Sequence, residues 1–362
     1  MKKVMSFPHM GSYWIPIKYI MQNLTDYKIK IAPPITKKTL ELGSKHAPDF
    51  VCIPFKYNLG NYIEAAEQGA NVFAQTGGGC RFGYYYEPQK EILKKLGFEF
   101  DFHYLSEEGG KLTPASVYKA LKEMNGGRLS KIKFLYHGLM TLNLIRYIDK
   151  LEKIIRENVG FEVKAKSHEK VHKEMLKSFS EASGLFNLKR RYKKIRRKLK
   201  KIEINKPDDC LRVGIIGELF LVMEPFSNFN IERELAKMGV EVHRETTLSY
   251  LLFNKPRNRK KLLKQTEGYL KKVLSGDAID NVAHAKEMCE HGIDGIIHIK
   301  PFACIPEVGA IPIIDKIVHD HDVPAIYLSF DSQTSEEGIR TRLEAFYDMI
   351  AMRKENEKWN II

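Results

Sequence analysis

Three cysteines in well-separated parts of the chain have the surroundings of metal-binding thiols. Cys52 lies in Asp49-Phe50-Val51-Cys52-Ile53-Pro54, Cys80 in Thr76-Gly77-Gly78-Gly79-Cys80-Arg81-Phe82-Gly83, and Cys304 in Ile299-Lys300-Pro301-Phe302-Ala303-Cys304-Ile305-Pro306-Glu307. Cys52 ends a short apolar run that reads as a strand, and the other two follow such runs, each beside Pro or Gly. A single cysteine near a strand end is commonly a small buried hydrophobe, so the weight falls on the grouping. The remaining two of the five cysteines lack it: Cys210 sits in a polar linker and Cys289 in the helical run Ala285-Lys286-Glu287-Met288-Cys289. Three thiolates with no accompanying His suit an iron–sulfur cluster better than a closed zinc site, which needs a fourth protein ligand. A cubane so held keeps one iron without a cysteine, open to water, sulfide or substrate.

The elements that must position these residues alternate. Strands are expected at Lys3–Phe7, Tyr27–Ala32, Phe50–Pro54, Asn71–Gln75 and Phe98–Tyr104, with helices at Tyr13–Leu24, Lys37–Gly43, Tyr57–Gly69, Pro88–Leu96 and Pro114–Met124. Strand signals then fade, and Leu142–Arg156 and the segment after Phe161 read as long helices. Alternation resumes with strands at Arg212–Gly217, Val240–Arg244, Gly295–Lys300 and Ala325–Phe330. Helices are expected there at Asn230–Met238, Arg259–Leu274, Ile279–His291, Gly309–His319 and Ser335–Arg353. The pattern predicts an α/β fold of two Rossmann-like parallel-sheet lobes, 1–127 and 209–362, separated by a helical, basic insert at 128–208. Ligands of such folds gather at the carboxyl ends of strands, which places the expected cluster site in the interlobe cleft.

The chain has 362 residues, enough for about two domains plus an insertion. With 43% hydrophobic residues, 19 Phe and 17 Tyr it is not disordered, and so few cysteines exclude a disulfide scaffold. No run of about 18 apolar residues predicts a membrane span. The opening residues lack the apolar core and cleavage site of a signal peptide, so a cytoplasmic protein with reduced thiols is expected. The net charge of +14 is local: Lys189–Lys201 alone holds ten Lys/Arg and no acid. That run is either a phosphate-binding stripe or a solvated helical face. Leu188, Tyr192, Ile195 and Leu199, spaced by three and four, favour the second reading, as no nucleic-acid motif accompanies the run.

Four segments together resemble a known family: Phe50-Val51-Cys52-Ile53-Pro54-Phe55-Lys56 with Gly60; Gly79-Cys80-Arg81-Phe82-Gly83-Tyr84; Pro301-Phe302-Ala303-Cys304-Ile305-Pro306-Glu307; and the long stretch from Ser329 to Phe346. They are similar to the acyl-CoA dehydratase-activase-related proteins of the 2-hydroxyglutaryl-CoA dehydratase D-component superfamily, which also contains benzoyl-CoA reductase subunits and double-cubane cluster proteins. The resemblance implies a [4Fe-4S] cluster, or a sulfide-bridged double cubane, on Cys52, Cys80 and Cys304. It also implies a separate ATP-hydrolysing activator that delivers a low-potential electron, a second dehydratase-like subunit or a homodimer, and a CoA thioester or another small molecule as substrate. No G-x-x-x-x-G-K-S/T loop is present for the chain to be its own ATPase. A non-catalytic electron-transfer or accessory component is the alternative.

Flanking residues have physical roles of their own. Gly77, Gly78 and Gly79 let backbone amides approach and donate to cluster sulfurs, or simply make a tight turn. Lys56 and Arg81 would offset anionic charge on cluster or substrate, or stay solvated. Asp331, Gln333 and Thr334 follow a strand end and would line the same cleft; Arg340 and Arg342 serve equally as helix-packing ion pairs. Two rival motifs are weak. His168-Glu169-Lys170-Val171-His172 matches the zinc-hydrolase pattern H-E-x-x-H, but Lys164-Ala165-Lys166-Ser167 and Lys173-Glu174 around it read as a solvated helix with no third ligand. The glycines at 77, 78, 79 and 83, and at 214 and 217, do not spell G-x-G-x-x-G, which argues against a dinucleotide.

Overall fold

The computed structural model describes residues 3–255 and 259–359. The chain divides into two compact units, Met1–Arg146 with Phe179–Leu188, and Tyr147–Ser178 with Lys189–Ile362. The first unit is built on β1 (Val4–Ser6), β2 (Lys28–Ile29), β3 (Val72–Gln75) and β4 (Asp101–Tyr104), all parallel in the order β2-β1-β3-β4. Its helices are α1 (Trp14–Leu24), α2 (Lys37–His46), α3 (Ile53–Glu67), α4 (Tyr86–Lys95) and α5 (Pro114–Met124). Three helices follow, α6 (Lys131–Asn158), α7 (Ser167–Ser180) and α8 (Leu185–Leu199). The second unit repeats the topology with β5 (Arg212–Gly217), β6 (Glu241–His243), β7 (Gly295–Pro301) and β8 (Ala325–Phe330), parallel in the order β6-β5-β7-β8. Its helices are α9 (Leu219–Met223), α10 (Ile231–Lys237), α11 (Arg259–Gln265), α12 (Ala278–Glu290), α13 (Ile305–Asp320) and α14 (Glu336–Trp359). This is the α/β fold with two Rossmann-like sheets that the alternation predicts.

Strands covered on both faces by helices lose the polar–apolar alternation of a half-exposed sheet. Accordingly β3 and β7 are buried along their whole length. Met5, Val72 and Ala74 pack against Met21, Leu24 and Leu121, while Phe73 faces Phe55, Leu59 and Tyr62 of α3. In the second unit Ile216 and Ile296 pack with Val282 and Ala285 of α12 and with Ile314 and Ile317 of α13.

One expected strand does not exist. Phe50–Pro54 has the composition of a strand, yet Phe50 stands 88% exposed, Cys52 is the N-cap of α3, and Pro54 sits in its first turn. Proline has no ladder donor to give a sheet, whereas at a helix start its missing N–H is one that would be unpaired anyway. A smaller correction concerns Arg259–Leu274, of which only Arg259–Gln265 is helical. No helix among the described residues is long and apolar enough to cross a membrane.

Helix α3 is buried from Ile53 to Ala65 except at half-buried Lys56, and glycine makes that burial feasible. A Cβ on Gly60 would land on the Thr39 carbonyl of α2, and one on Gly43 would land on the Lys56 carbonyl of α3, so the two helices touch backbone to backbone. Gly60→Ala should therefore destabilise the chain by about 2–3 kcal/mol. Gly138→Ala, in α6 where a Cβ meets nothing within 4 Å, should stabilise it by about 0.5–1 kcal/mol. Urea unfolding of the two variants gives both signs; a neutral Gly60→Ala would contradict the backbone contact.

Candidate functional site

The three singled-out cysteines share one local geometry. Cys52 caps α3, Cys80 caps the short 3₁₀ turn Arg81–Tyr84, and Cys304 caps α13; none of these N-termini is closed by a side-chain hydrogen bond. The tripeptide Cys-Ile-Pro occurs at both long helices, as Cys52-Ile53-Pro54 and Cys304-Ile305-Pro306, with the proline in the first turn each time. Cys52 and Cys304 thus sit at the positive ends of two long helix dipoles, where negative charge is favoured. None of the three is in a disulfide; Cys80 is exposed and the other two are half-buried.

In the first unit Cys52 meets a buried phenol. Cys52 Sγ lies 2.8 Å from Tyr85 Oη. The Tyr85 ring is 7% exposed, edge-on to Phe55 at 4.9 Å and to Phe82 at 5.8 Å. Burial pushes the Tyr85 phenol well above its ordinary range, with the Cys52 and Cys80 sulfurs adding to the effect, so it stays protonated. The glycine loop before Cys80 has a packing role. A Cβ on Gly77 would strike Tyr104 Oη and Gly110, and one on Gly110 would strike the Gly78 carbonyl. The Gly77 amide donates to Ser106 Oγ at 2.7 Å, so of the three glycines it is not available to a cluster sulfur. Gly78 abuts Phe82, and Gly79 is exposed beside Cys80. Lys56 lies half-buried in the first turn of α3, and Arg81 is exposed directly after Cys80.

In the second unit β5 and β7 are neighbours whose connections leave in opposite directions, the arrangement that opens a ligand crevice in doubly wound sheets. Gly217 ends β5 with φ +147°, and a Cβ there would land on the Ile299 carbonyl of β7. The next residue, Glu218, donates its amide to Ile299 O at 3.0 Å, and its carboxylate accepts the Leu221 amide at 3.1 Å. Burial pushes the Glu218 carboxyl up to about 8. Buried Asn281 of α12 ties these parts together. It exchanges hydrogen bonds with the Gly217 backbone at 3.1 and 3.0 Å and donates to the Glu307 carboxylate at 3.0 and 2.9 Å. Glu307, three residues after Cys304 in the first turn of α13, is also 2.8 Å from His298 Nε2 of β7. The sulfur-bearing end of α13 is thus clamped to β5, β7 and α12. Lys300 is buried near it: burial lowers its pKa, while Cys304 and Glu307 act the other way.

Asp331, Gln333 and Thr334 form the turn that ends β8. The Asp331 carboxylate accepts from the Gln333 amide and the Thr334 hydroxyl, both at 2.9 Å, and the Asp331 amide donates to Thr334 Oγ1 at 2.8 Å. The Gln333 side chain is exposed. Arg340 lies 4.0 Å from Glu344 one turn on.

The rival signals resolve differently. His168 is buried, not solvated as its charged neighbours suggest, and its Nδ1 is 2.8 Å from Glu162; His172 Nε2 is 3.1 Å from Glu152. The two imidazoles of H-E-x-x-H thus serve separate carboxylates. The only metal-like cluster of His, Cys or acidic groups among the described residues is Glu157, Glu241 and His243, and Lys206 already pairs with Glu241 at 2.7 Å. In α8, Leu188, Ile195 and Leu199 are buried, Tyr192 stacks on Tyr147 at 4.2 Å, and most of the cations are exposed. The sequence reading missed Tyr85, Asn281, His298 and Glu218. Only Tyr85 had a nearby signal, as a hydroxyl five residues past Cys80.

The fold is that of an α/β protein with two doubly wound parallel sheets. A family model described as 2-hydroxyglutaryl-CoA dehydratase, D-component, matches residues 169–350, about half of the chain, and the chain belongs to that family. The matched stretch contains Cys304, Asn281, Glu307 and Glu218. No curated protein matches the chain.

Folding lifts Glu218 from the ordinary carboxylate range to about 8. Between these values the folded chain keeps a proton that the unfolded chain has lost, so stability falls as pH rises through this window. Relative to Glu218→Gln, the wild type should lose urea resistance between about pH 5 and pH 9; parallel profiles would count against the raised carboxyl. Asn281→Ala should cost about 3 kcal/mol, because it leaves Glu307 and the Gly217 backbone without their buried partner.

Proposed function

We propose that the chain is a 2-hydroxyacyl-CoA dehydratase-type component that carries an iron–sulfur cluster, a [4Fe-4S] cubane or a sulfide-bridged pair, on Cys52, Cys80 and Cys304. The observation that carries this reading is how the five cysteines sort. The three at helix N-caps are at least partly accessible and stand in no disulfide. Cys289 is buried in α12 with its thiol pushed up to about 11 by burial, and the Cys210 thiol is raised by burial and by Glu241. Accessible thiols at electropositive positions are the ones suited to ligate metal. The donor set fits: three sulfurs, helix amides without side-chain acceptors, and no imidazole that would favour zinc.

When bound, the cluster would supply one-electron reduction at low potential. The chain's own residues have other tasks. Lys56 and Arg81 offset the anionic charge of ligand and substrate. Gly78 and Gly79 keep bulk away from Cys80, and the Asp331–Thr334 turn with Gln333 presents polar groups at the end of β8. A separate ATP-hydrolysing activator supplies the electron, a second dehydratase-like subunit or a second copy completes the assembly, and a CoA thioester is the substrate class.

Anaerobic purification followed by iron and acid-labile sulfide analysis tests the cluster. About four irons per chain or more are expected for one cubane or two; none after reconstitution would sink the reading. Cys304→Ser should lose most of the iron and Cys289→Ser should keep it, so equal losses would contradict the ligand assignment. ATP-dependent turnover of a 2-hydroxyacyl-CoA with the activator present separates an enzyme from an electron carrier.

A further inference from the structure

We infer that Tyr85 is the hydrogen-bond donor to the Cys52 sulfur, and that through this bond it sets the electron density which that thiolate gives to a bound cluster. The inference rests on the cluster reading above and adds a positioning residue to it.

The direction of the bond follows from the chemistry of ligation. Oη and Sγ are 2.8 Å apart, and in the free thiol either group could supply the proton. A cysteine that binds metal does so as thiolate and has no proton to offer, so in the ligated state the phenol must donate. Nothing about the ring leaves it free to turn away. It is 7% exposed and held edge-on by Phe55, third residue of the helix that Cys52 caps, and by Phe82, second residue after Cys80. The tyrosine is thus wedged between the two segments that carry the first unit's thiols, and both sulfurs act on its hydroxyl. A hydrogen bond to a ligand sulfur withdraws electron density and favours the reduced cluster, which raises its potential. Neighbouring Tyr84 is 64% exposed, and Tyr86 stacks on Tyr104 at 4.1 Å, so neither shares the buried setting of Tyr85.

The test uses the full chain, reconstituted anaerobically with iron and sulfide, as wild type, Tyr85→Phe, and a form with 3-fluorotyrosine placed at position 85. Iron content and the reduction midpoint from an EPR-monitored titration are read for each. Tyr85→Phe keeps the ring packing and should bind as much iron with a midpoint shifted to more negative potential. The fluorinated ring, a stronger donor, should shift it to more positive potential. Equal midpoints in all loaded forms overturn the tyrosine's role while leaving the cluster intact. If Tyr85→Phe fails to take up iron, the fluorotyrosine form decides: an unchanged midpoint overturns the inference, a positive shift upholds it. Absence of iron from the wild type overturns the cluster reading, and this inference falls with it.

Discussion

In a parallel sheet every strand runs the same way, so every crossover helix must begin at the edge where the strands end. That constraint places helix N-termini, with their unpaired amides and positive dipole ends, along one rim of each sheet. Cys52, Cys80 and Cys304 are all found on such rims, each in the single residue between irregular chain and the first helical turn. The sulfur positions follow from how the sheets are wound, before any metal is considered.

The two units meet this constraint with different side chains. In the first, the helix leading into the third strand is capped by Cys52; in the second, the corresponding helix α12 is capped by Asp277. Asp277 pairs with Lys255 at 2.8 Å, and Lys255 reaches Asp280 at 2.7 Å. After the third strand both units have cysteine, Cys80 and Cys304. The shared strand order thus carries two thiols on one rim, and one thiol with a buried acid–amide–imidazole clamp on the other. Asn281 makes that clamp specific, because its amide can satisfy the Gly217 backbone and a carboxylate at once.

The alternation of apolar runs and amphipathic stretches made eight strands and most helices legible, because parallel strands must be apolar throughout. Phe50–Pro54 shows where composition fails. The same apolar run suits a strand or the start of a buried helix, and the deciding feature is the proline two residues after Cys52. The cysteines' neighbours singled them out in the sequence, but the contacts that hold their surroundings were not legible. Tyr85 and Cys52 are 33 residues apart, and Asn281 and Gly217 are 64 apart. Nothing local distinguishes Tyr85 from the tyrosine on either side. The glycine loop was legible as close backbone approach, though its partner is the Tyr104 and Gly110 side of the unit.

Helix α3 is buried on nearly every face and locked to α2 through the contacts of Gly43 and Gly60. Cys52 therefore rides on one of the most firmly held pieces of the chain. Small metalloproteins often order their ligands only as the ion arrives, so that binding and folding are one event. A thiol on a rod already anchored in a hydrophobic core separates the two. For the cluster proposed above, assembly at Cys52 would then be a matter of delivery, onto backbone already held in place.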